Sequence, residues 1–386
     1  MGERHRVVIL GGGVGGTLLA NLLARNLGRS RAEITVIDET GWHVYQPGWL
    51  YVPFGEEQPR HLVKSERSLL SRSVHLITSR AQDIDPVAKY VALADAPPVA
   101  YDTLVIATGA RLEPGAVPGF TEGAQHFYSE AGALALKGAL ESFEGGRLVV
   151  GVADIPYKCP PAPLEFVLKV EEFLTTKGVR DKTEIVYLSP INRVFTIESV
   201  SDFVTPILEE RGIRYETFFN TEAIDPVAKR VTSLEGSEIA YDLLVMVPPH
   251  RGAAVVQASG LGDALGWLPT DRAMLQVHDQ PDIFAIGDAT DIPVSKSGSA
   301  AHFEAKVLAD RLAARIVPQI HAVHTDALPV YDGHVLCFLE TGYGQASQLV
   351  FDFANPPKPP APNRFYHYEK MLFNRVYWHI VPRGIV

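Results

Sequence analysis

The segment IDPVAK occurs twice, at 84–89 and 224–229, and each copy leads through a short strand-like run into a near-identical sequel, AYDTLV at 100–105 and AYDLLV at 240–245. The spacing is the same in both copies, so the two halves of the chain are related by an offset of 140 residues. Self-similarity over that distance requires one supersecondary unit built twice. Carried back to the N-terminus, the offset lays RVVILGGGVGG (6–16) over GRLVVGVADIP (146–156), placing Gly11 on Gly151, Gly13 on Ala153 and Gly16 on Pro156. The first copy keeps a G-x-G-x-x-G turn and the second has lost it.

In the first copy the turn stands in a full setting. An apolar run, Val7 to Leu10, precedes it; a helical spacing of Leu18, Leu19, Leu22 and Leu23 follows; and a second apolar run, Ile34 to Ile37, ends at Asp38. Gly11 serves the tight turn, Gly13 the close approach of a pyrophosphate and Gly16 the packing of helix on strand, while an acid reaches the ribose hydroxyls. Asp38 closes the strand and is the first choice for that acid, with Glu39 as the alternative. In the second copy Ala153 and Pro156 add bulk where backbone must approach phosphate, and proline removes an amide donor. The second strand there, Glu184 to Leu188, ends at Ser189, so the acid is missing as well. The expectation is an α/β chain of two Rossmann-like domains of which only the first binds a dinucleotide.

With 386 residues the chain can hold two or three domains, and its formal net charge of −10 argues against a phosphate-backbone partner. The sequence runs from its first residues into strand and glycine turn, so no signal peptide is expected, and no apolar run nears the roughly 20 residues that span a bilayer. The expected location is cytoplasmic. There are two cysteines, Cys159 and Cys337, without C-x-x-C or zinc spacing, so no metal site is expected.

The segments YDTLVIATG (101–109) and DIFAIGD (282–288) resemble those of two-dinucleotide-binding-domain flavoproteins. The resemblance implies FAD as the cofactor, with Thr108 and Gly109 beneath it, Gly287 and Asp288 reaching its ribityl and pyrophosphate region, and Lys296 and Gly298 in the glycine- and serine-rich entry to a following helix whose N-terminal dipole would favour negative charge. Two further segments, KCPPAPLEF (158–166) and YDLLVMVPPHRG (241–252), closely resemble the sulfide:quinone oxidoreductase and flavocytochrome c sulfide dehydrogenase families. That resemblance spans essentially the whole chain. It implies a redox-active pair, Cys159 with Cys337, facing the flavin where nicotinamide lies in relatives, with Glu165 handling protons and hydrosulfide as donor. The chain departs from the pattern in two places. HVYQPGWLYVPFG (43–55) lacks the cysteine that would tether a flavin, so FAD is expected to be non-covalent and the acceptor a quinone; HFYSEAG (126–132) lacks the third cysteine common in sulfide:quinone oxidoreductases.

The C-terminal stretch follows a proline-rich linker, PPKPPAP (356–362), and carries Arg364, Lys370, Arg375 and Arg383 against one acid, Glu369. An aromatic, locally basic tail reads equally as an anchor on anionic lipid or as a helix docked on the body or on a second subunit. Phe338 matches a family quinone-pocket aromatic, and Phe373 and Tyr377 are further candidates for quinone contact. The expected division is an FAD domain of residues 1–112 and 253–320, a second Rossmann-like domain of 113–252 with Cys159, and a C-terminal membrane and quinone module of 321–386 with Cys337, on the cytoplasmic side of the membrane. Two rival functions stay open: a type II NADH:quinone reductase, and a catalytically idle flavoprotein acting as redox sensor or partner.

Overall fold

The computed structural model describes residues 4–318 and 328–385. The expected boundary at residue 320 lies outside the described residues. β1 (His5–Leu10) passes through the glycine turn into α1 (Val14–Leu27), and β2 (Ala32–Asp38), β3 (Val74–Thr78) and β4 (Thr103–Ile106) complete the first copy. The second copy repeats this with β5 (Gly146–Val152), α2 (Ala162–Lys177), β6 (Thr183–Leu188), β7 (Ile213–Glu216) and β8 (Leu243–Val247). The chain then returns through β9 (Ile283–Ala285) to α3 (Gly298–Ile316), and ends in a hairpin, β10 (Val335–Gly342) and β11 (Gln345–Phe351), and a helix, α4 (Arg364–Ile380).

The parallel sheets are β9-β4-β1-β2-β3 and β7-β6-β5-β8, so each copy has the same strand order, and β9 extends the first. Runs such as VVIL and LVV, apolar on both faces, are what a parallel sheet covered on both sides demands. Each copy also carries a three-stranded antiparallel sheet ahead of its last parallel strand. The repeated IDPVAK is the turn of that sheet. Asp85 Oδ1 accepts the Val87 and Ala88 amides at 2.9 and 2.8 Å, and Asp225 Oδ1 accepts Val227 and Ala228 at 2.9 Å each. Lys89 and Lys229 both adopt positive φ, 56° and 51°. The aspartates Asp102 and Asp242 then accept the backbone N–H of Arg6 and Arg147, both at 2.7 Å.

That last pair corrects the alignment of the turns. Val7 pairs with Thr103, and Leu148 with Leu243, so on the first strand the offset is 141 residues rather than 140. Between its first strand and its IDPVAK turn the second copy is one residue shorter than the first. Gly11, Gly13 and Gly16 therefore correspond to Val152, Asp154 and Tyr157, and none of the three is glycine. On the second strand Ile34 and Ile185 both oppose the first, which puts Ser189 at the place of Asp38, as expected.

The tail is built into the body. One core cluster contains Tyr45 and Trp49 from the first copy, Leu164 and Phe166 from α2, Leu339 from β10, and Tyr377 and Trp378 from α4. Asn363 caps α4 by accepting the Tyr366 amide at 3.1 Å. Beneath α4 lies a fully buried polar cluster: the Thr17 hydroxyl donates to Glu66 Oε1 at 2.8 Å, His43 Nδ1 meets Glu66 Oε2 at 3.2 Å, and His43 Nε2 meets the Tyr377 hydroxyl at 2.8 Å. Among the described residues no helix is long and apolar enough to cross a membrane.

Tyr377→Phe leaves the buried His43 Nε2 unpaired, which costs about 1–3 kcal/mol. Urea unfolding should show that loss; an unchanged midpoint would mean the hydroxyl is replaceable by water.

Candidate functional site

At the first glycine turn the backbone has no room for side chains where it touches itself. A Cβ on Gly11, whose φ is +105°, would lie 2.4 Å from the Ala107 carbonyl oxygen, and one on Gly16 would lie 2.0 Å from that of Gly11. Gly13 has open space on its free side. This is the arrangement a pyrophosphate needs at a helix N-terminus. Asp38 Oδ2 accepts the Gly12 amide at 2.8 Å, while Glu39 is exposed, so Asp38 is the acid placed at the turn. Thr108 Oγ1 and Asp288 Oδ1 are buried atoms without a hydrogen-bond partner. Orphaned buried oxygens beside a glycine cradle fit the ribityl and phosphate groups of FAD. Gly109 and Gly287 take positive φ, 65° and 69°, and Gly298 opens α3 behind the Ser297 cap. Lys296 turns inward, donating to the carbonyls of Asp288 and Thr290 at 3.0 and 2.6 Å over the Trp267 ring. Burial pushes the Asp288 carboxyl up, and the nearby Lys296 and Lys158 draw it back down.

The second copy has filled its turn. Tyr157, at the third glycine position, is buried and its hydroxyl donates to the Pro160 carbonyl at 3.3 Å; Asp154 pairs with Arg251 at 2.8 Å. Between turn and second strand, Val152, Tyr157, Tyr187, Ser189 and Phe195 line a space of about 10 Å³. That volume holds about one water molecule and no adenosine.

The loop beyond this turn carries Cys159, in the left-handed region at φ 54°. For a non-glycine residue that conformation costs about 1–3 kcal/mol and persists only where neighbours impose it. They do so here: its amide donates to the Lys296 carbonyl at 2.6 Å, and its carbonyl accepts Ala162 N–H at 2.9 Å. The loop is thereby fastened to the entry of α3 in the first copy. Cys337, on β10, enters the same neighbourhood from the C-terminal hairpin. The two thiols, Glu165 and Lys370 act on one another electrostatically. Each cysteine keeps some exposed surface, yet burial raises both thiols, Cys337 to about 12. The Ser297 hydroxyl works against that rise by donating to Cys337 sulfur, and the N-terminus of α3 stands behind it.

Glu165 lies in the first turn of α2 and is buried; its Oε1 accepts the Glu340 amide at 2.8 Å and the Lys370 ammonium. Burial pushes the Glu165 carboxyl up, opposed by Lys370. Lys370 is held above its usual range by Glu165, Tyr51 and Glu340, which outweigh its burial. This corrects the reading of Lys370 as a lipid-facing charge, since it is 7% exposed. Arg364, Arg375 and Arg383 do face solvent, among the exposed Phe365, Tyr368 and Leu372. Phe338 directly follows Cys337 on β10, so the two side chains face opposite sides of the hairpin. Phe373 is partly exposed, whereas Tyr377 is buried against His43 and anchors the tail. The residues that sequence reasoning missed are Thr17, His43, Glu66, Tyr51, Ser297, Glu340 and His367. Of these only Ser297 had a local signal, the serine ahead of a helix.

Residues 5–306 match the family model described as pyridine nucleotide-disulphide oxidoreductase. The chain is 25% identical over 400 residues to a mitochondrial sulfide:quinone oxidoreductase of Mus musculus, covering 99% of this chain and 87% of that protein. It is 32% identical over 328 residues to a type II NADH:quinone oxidoreductase of Mycobacterium tuberculosis, covering 76% of this chain and 68% of that one. The solved sulfide:quinone oxidoreductase of Aquifex aeolicus shares the fold, with a TM-score of 0.84 at 24% identity over 98% of this chain and 92% of that one.

Glu304 supplies a pH test of the cofactor side. It is buried, its Oε2 accepts the Gly287 amide, and burial lifts its carboxyl to about 8. The folded chain then keeps a proton that the unfolded chain releases above about pH 4.5, so this residue costs stability progressively from there to about pH 8. Glu304→Gln keeps the acceptor and has no such proton. Its melting temperature relative to the native protein should climb across that window and level off above it, and a flat difference would refute the assignment.

Proposed function

Because the chain belongs to the pyridine nucleotide-disulphide oxidoreductase family, we propose that it is a sulfide:quinone oxidoreductase, taking electrons from hydrosulfide and delivering them through non-covalently bound FAD to a quinone. The two relatives above agree, by name, on quinone and differ on the donor. The filled second turn decides between them. Val152, Asp154 and Tyr157 stand where a pyridine nucleotide would need glycines, and Ser189 stands where its ribose would need an acid. On this reading the group facing the cofactor from that side is the pair Cys159 and Cys337.

Gly11, Gly13, Gly16, Asp38, Thr108, Gly109, Gly287, Asp288 and Gly298 would hold FAD, with Lys296 bracing the Asp288 turn from behind. When bound, FAD supplies a two-electron acceptor that a quinone can reoxidise. The oxidised form of the pair is a Cys159–Cys337 disulfide. Hydrosulfide attacks Cys159 sulfur, giving a persulfide there and releasing Cys337 as thiolate. Ser297 and the α3 N-terminus stabilise that thiolate. Closure of the bridge with the added sulfur retained, Cys159–S–S–S–Cys337, releases two electrons and the hydrosulfide proton. Glu165 is the group placed to take the proton. Further hydrosulfide lengthens the chain until zero-valent sulfur leaves as polysulfide. Phe338 and Phe373 would contact quinone, and the exposed aromatics and arginines of α4 suit the surface of an anionic membrane. Domain limits near residues 112 and 253 fit the antiparallel pairing of Arg111–Leu112 with His250–Arg251, where the chain crosses between sheets.

Anaerobic sulfide should bleach the flavin absorbance of the native protein, and Cys159→Ala and Cys337→Ala should each slow that bleaching more than about 10³-fold. NADH should leave the spectrum unchanged. Bleaching by NADH would identify a pyridine-nucleotide donor, and equal sulfide rates in native and variant proteins would mean that the thiols are idle.

A further inference from the structure

Oxidising one hydrosulfide to zero-valent sulfur frees one proton, whereas reducing one quinone to quinol consumes two. One proton per turnover must therefore come from water. The pair at which protons would meet the quinone side, Glu165 with Lys370, is buried, with Glu165 3% and Lys370 7% exposed. A line of side chains leads from it to the surface. Lys370 Nζ lies 5.5 Å from the centre of the Tyr51 ring, and its charge acts on the Tyr51 hydroxyl. That hydroxyl lies 3.5 Å from Glu340 Oε1. Glu340, itself 1% exposed, meets His367 Nδ1 at 3.1 Å through Oε2, and the His367 side chain is 22% exposed.

We propose that Glu340 and His367 form the outer half of a proton path that admits the second quinone proton from solvent to Lys370, while Glu165 passes on the first from the sulfur site. The inference rests on the sulfide reading for the origin of the first proton only. It draws on four separated parts of the chain: Glu165 on α2, Tyr51 after the turn at Gln46–Leu50, Glu340 on β10, and His367 with Lys370 on α4. The Glu340 amide on Glu165 Oε1 locks inner and outer halves in one register. The other charged or titratable groups facing the path are Lys169, 5.4 Å from the Tyr51 ring and paired with Glu56, the Tyr45 hydroxyl and the two thiols. His367 and Glu340 touch neither sulfur nor quinone and act through Lys370, as positioning residues.

The test uses the FAD-loaded protein and the variants His367→Leu and Glu340→Gln. Flavin reduced by dithionite is mixed with a short-chain ubiquinone, and flavin bleaching by sulfide is followed separately. His367→Leu should slow reoxidation by quinone about tenfold, with the deficit growing as pH rises and shrinking when imidazole is added. Bleaching by sulfide should stay within about twofold of native, since no external proton is needed there. In cofactor-free protein, deuterium should enter the Glu165 carboxyl, identified in the infrared by its loss in Glu165→Gln, about tenfold more slowly in His367→Leu than in native protein. Unchanged reoxidation, equal slowing of both half-reactions, or unchanged deuterium entry would each overturn the path. Failure of sulfide to bleach the native flavin would overturn the donor assignment instead, leaving the dithionite and infrared arms intact.

Discussion

The contact between Lys370 of α4 and Glu165 of α2 is the constraint around which the second half of the molecule is arranged. An isolated ammonium could not be kept this far from water, and a buried pair stripped of one partner costs about 3–5 kcal/mol. Keeping both charges inside requires that α4 lie across α2, which in turn requires the β10–β11 hairpin to bring Glu340 N–H onto the same carboxylate. Cys337 arrives with that hairpin. The tail is thus the element that completes the cysteine site, and its position follows from one charge that has nowhere else to go.

The same economy governs the loss of the second nucleotide site. A Rossmann-like unit whose turn no longer admits phosphate would leave a void between turn and second strand. Here Tyr157 and Tyr187 fill it, with Phe195 closing from the side, so the unit gains apolar burial in place of a ligand. With the turn closed by side chains, the loop that follows can hold Cys159 in a strained conformation against Lys296. The inactive copy thus serves as a mount for a thiol.

What the sequence made legible was whatever has a local cause. Glycines that touch carbonyls, an aspartate closing a strand and a repeated turn motif each act within a few residues, and the copy-to-copy strand order followed from them. The offset of the turns differs by one from the repeat because Gly151, which in the sequence lines up with Gly11, is the penultimate residue of its strand and not the turn glycine; only the pairing of Leu148 with Leu243 fixes where the strand ends. Lys370 looked like one more charge of a basic tail because a helix presents lysines to either side without any change in composition. Tyr377 and His43 lie 334 positions apart in the chain, and nothing near either residue announces the other.

That long-range contact has a consequence for how the protein holds its cofactor. Thr17 sits in the first turn of α1, its hydroxyl donating to Glu66 and lying 3.1 Å from the Gly12 carbonyl; Glu66 meets His43, and His43 meets Tyr377 of the tail. Each member is buried, so an unpaired one would carry its full desolvation cost. Docking of α4 therefore steadies the glycine turn from beneath, and a dinucleotide bound at that turn steadies α4 in return, because any ligand that favours the ordered turn favours every contact joined to it. The tail that completes the cysteine site and the turn suited to FAD are thus stabilised together, which makes a folded chain with one half of the redox site assembled and the other half loose energetically unfavourable.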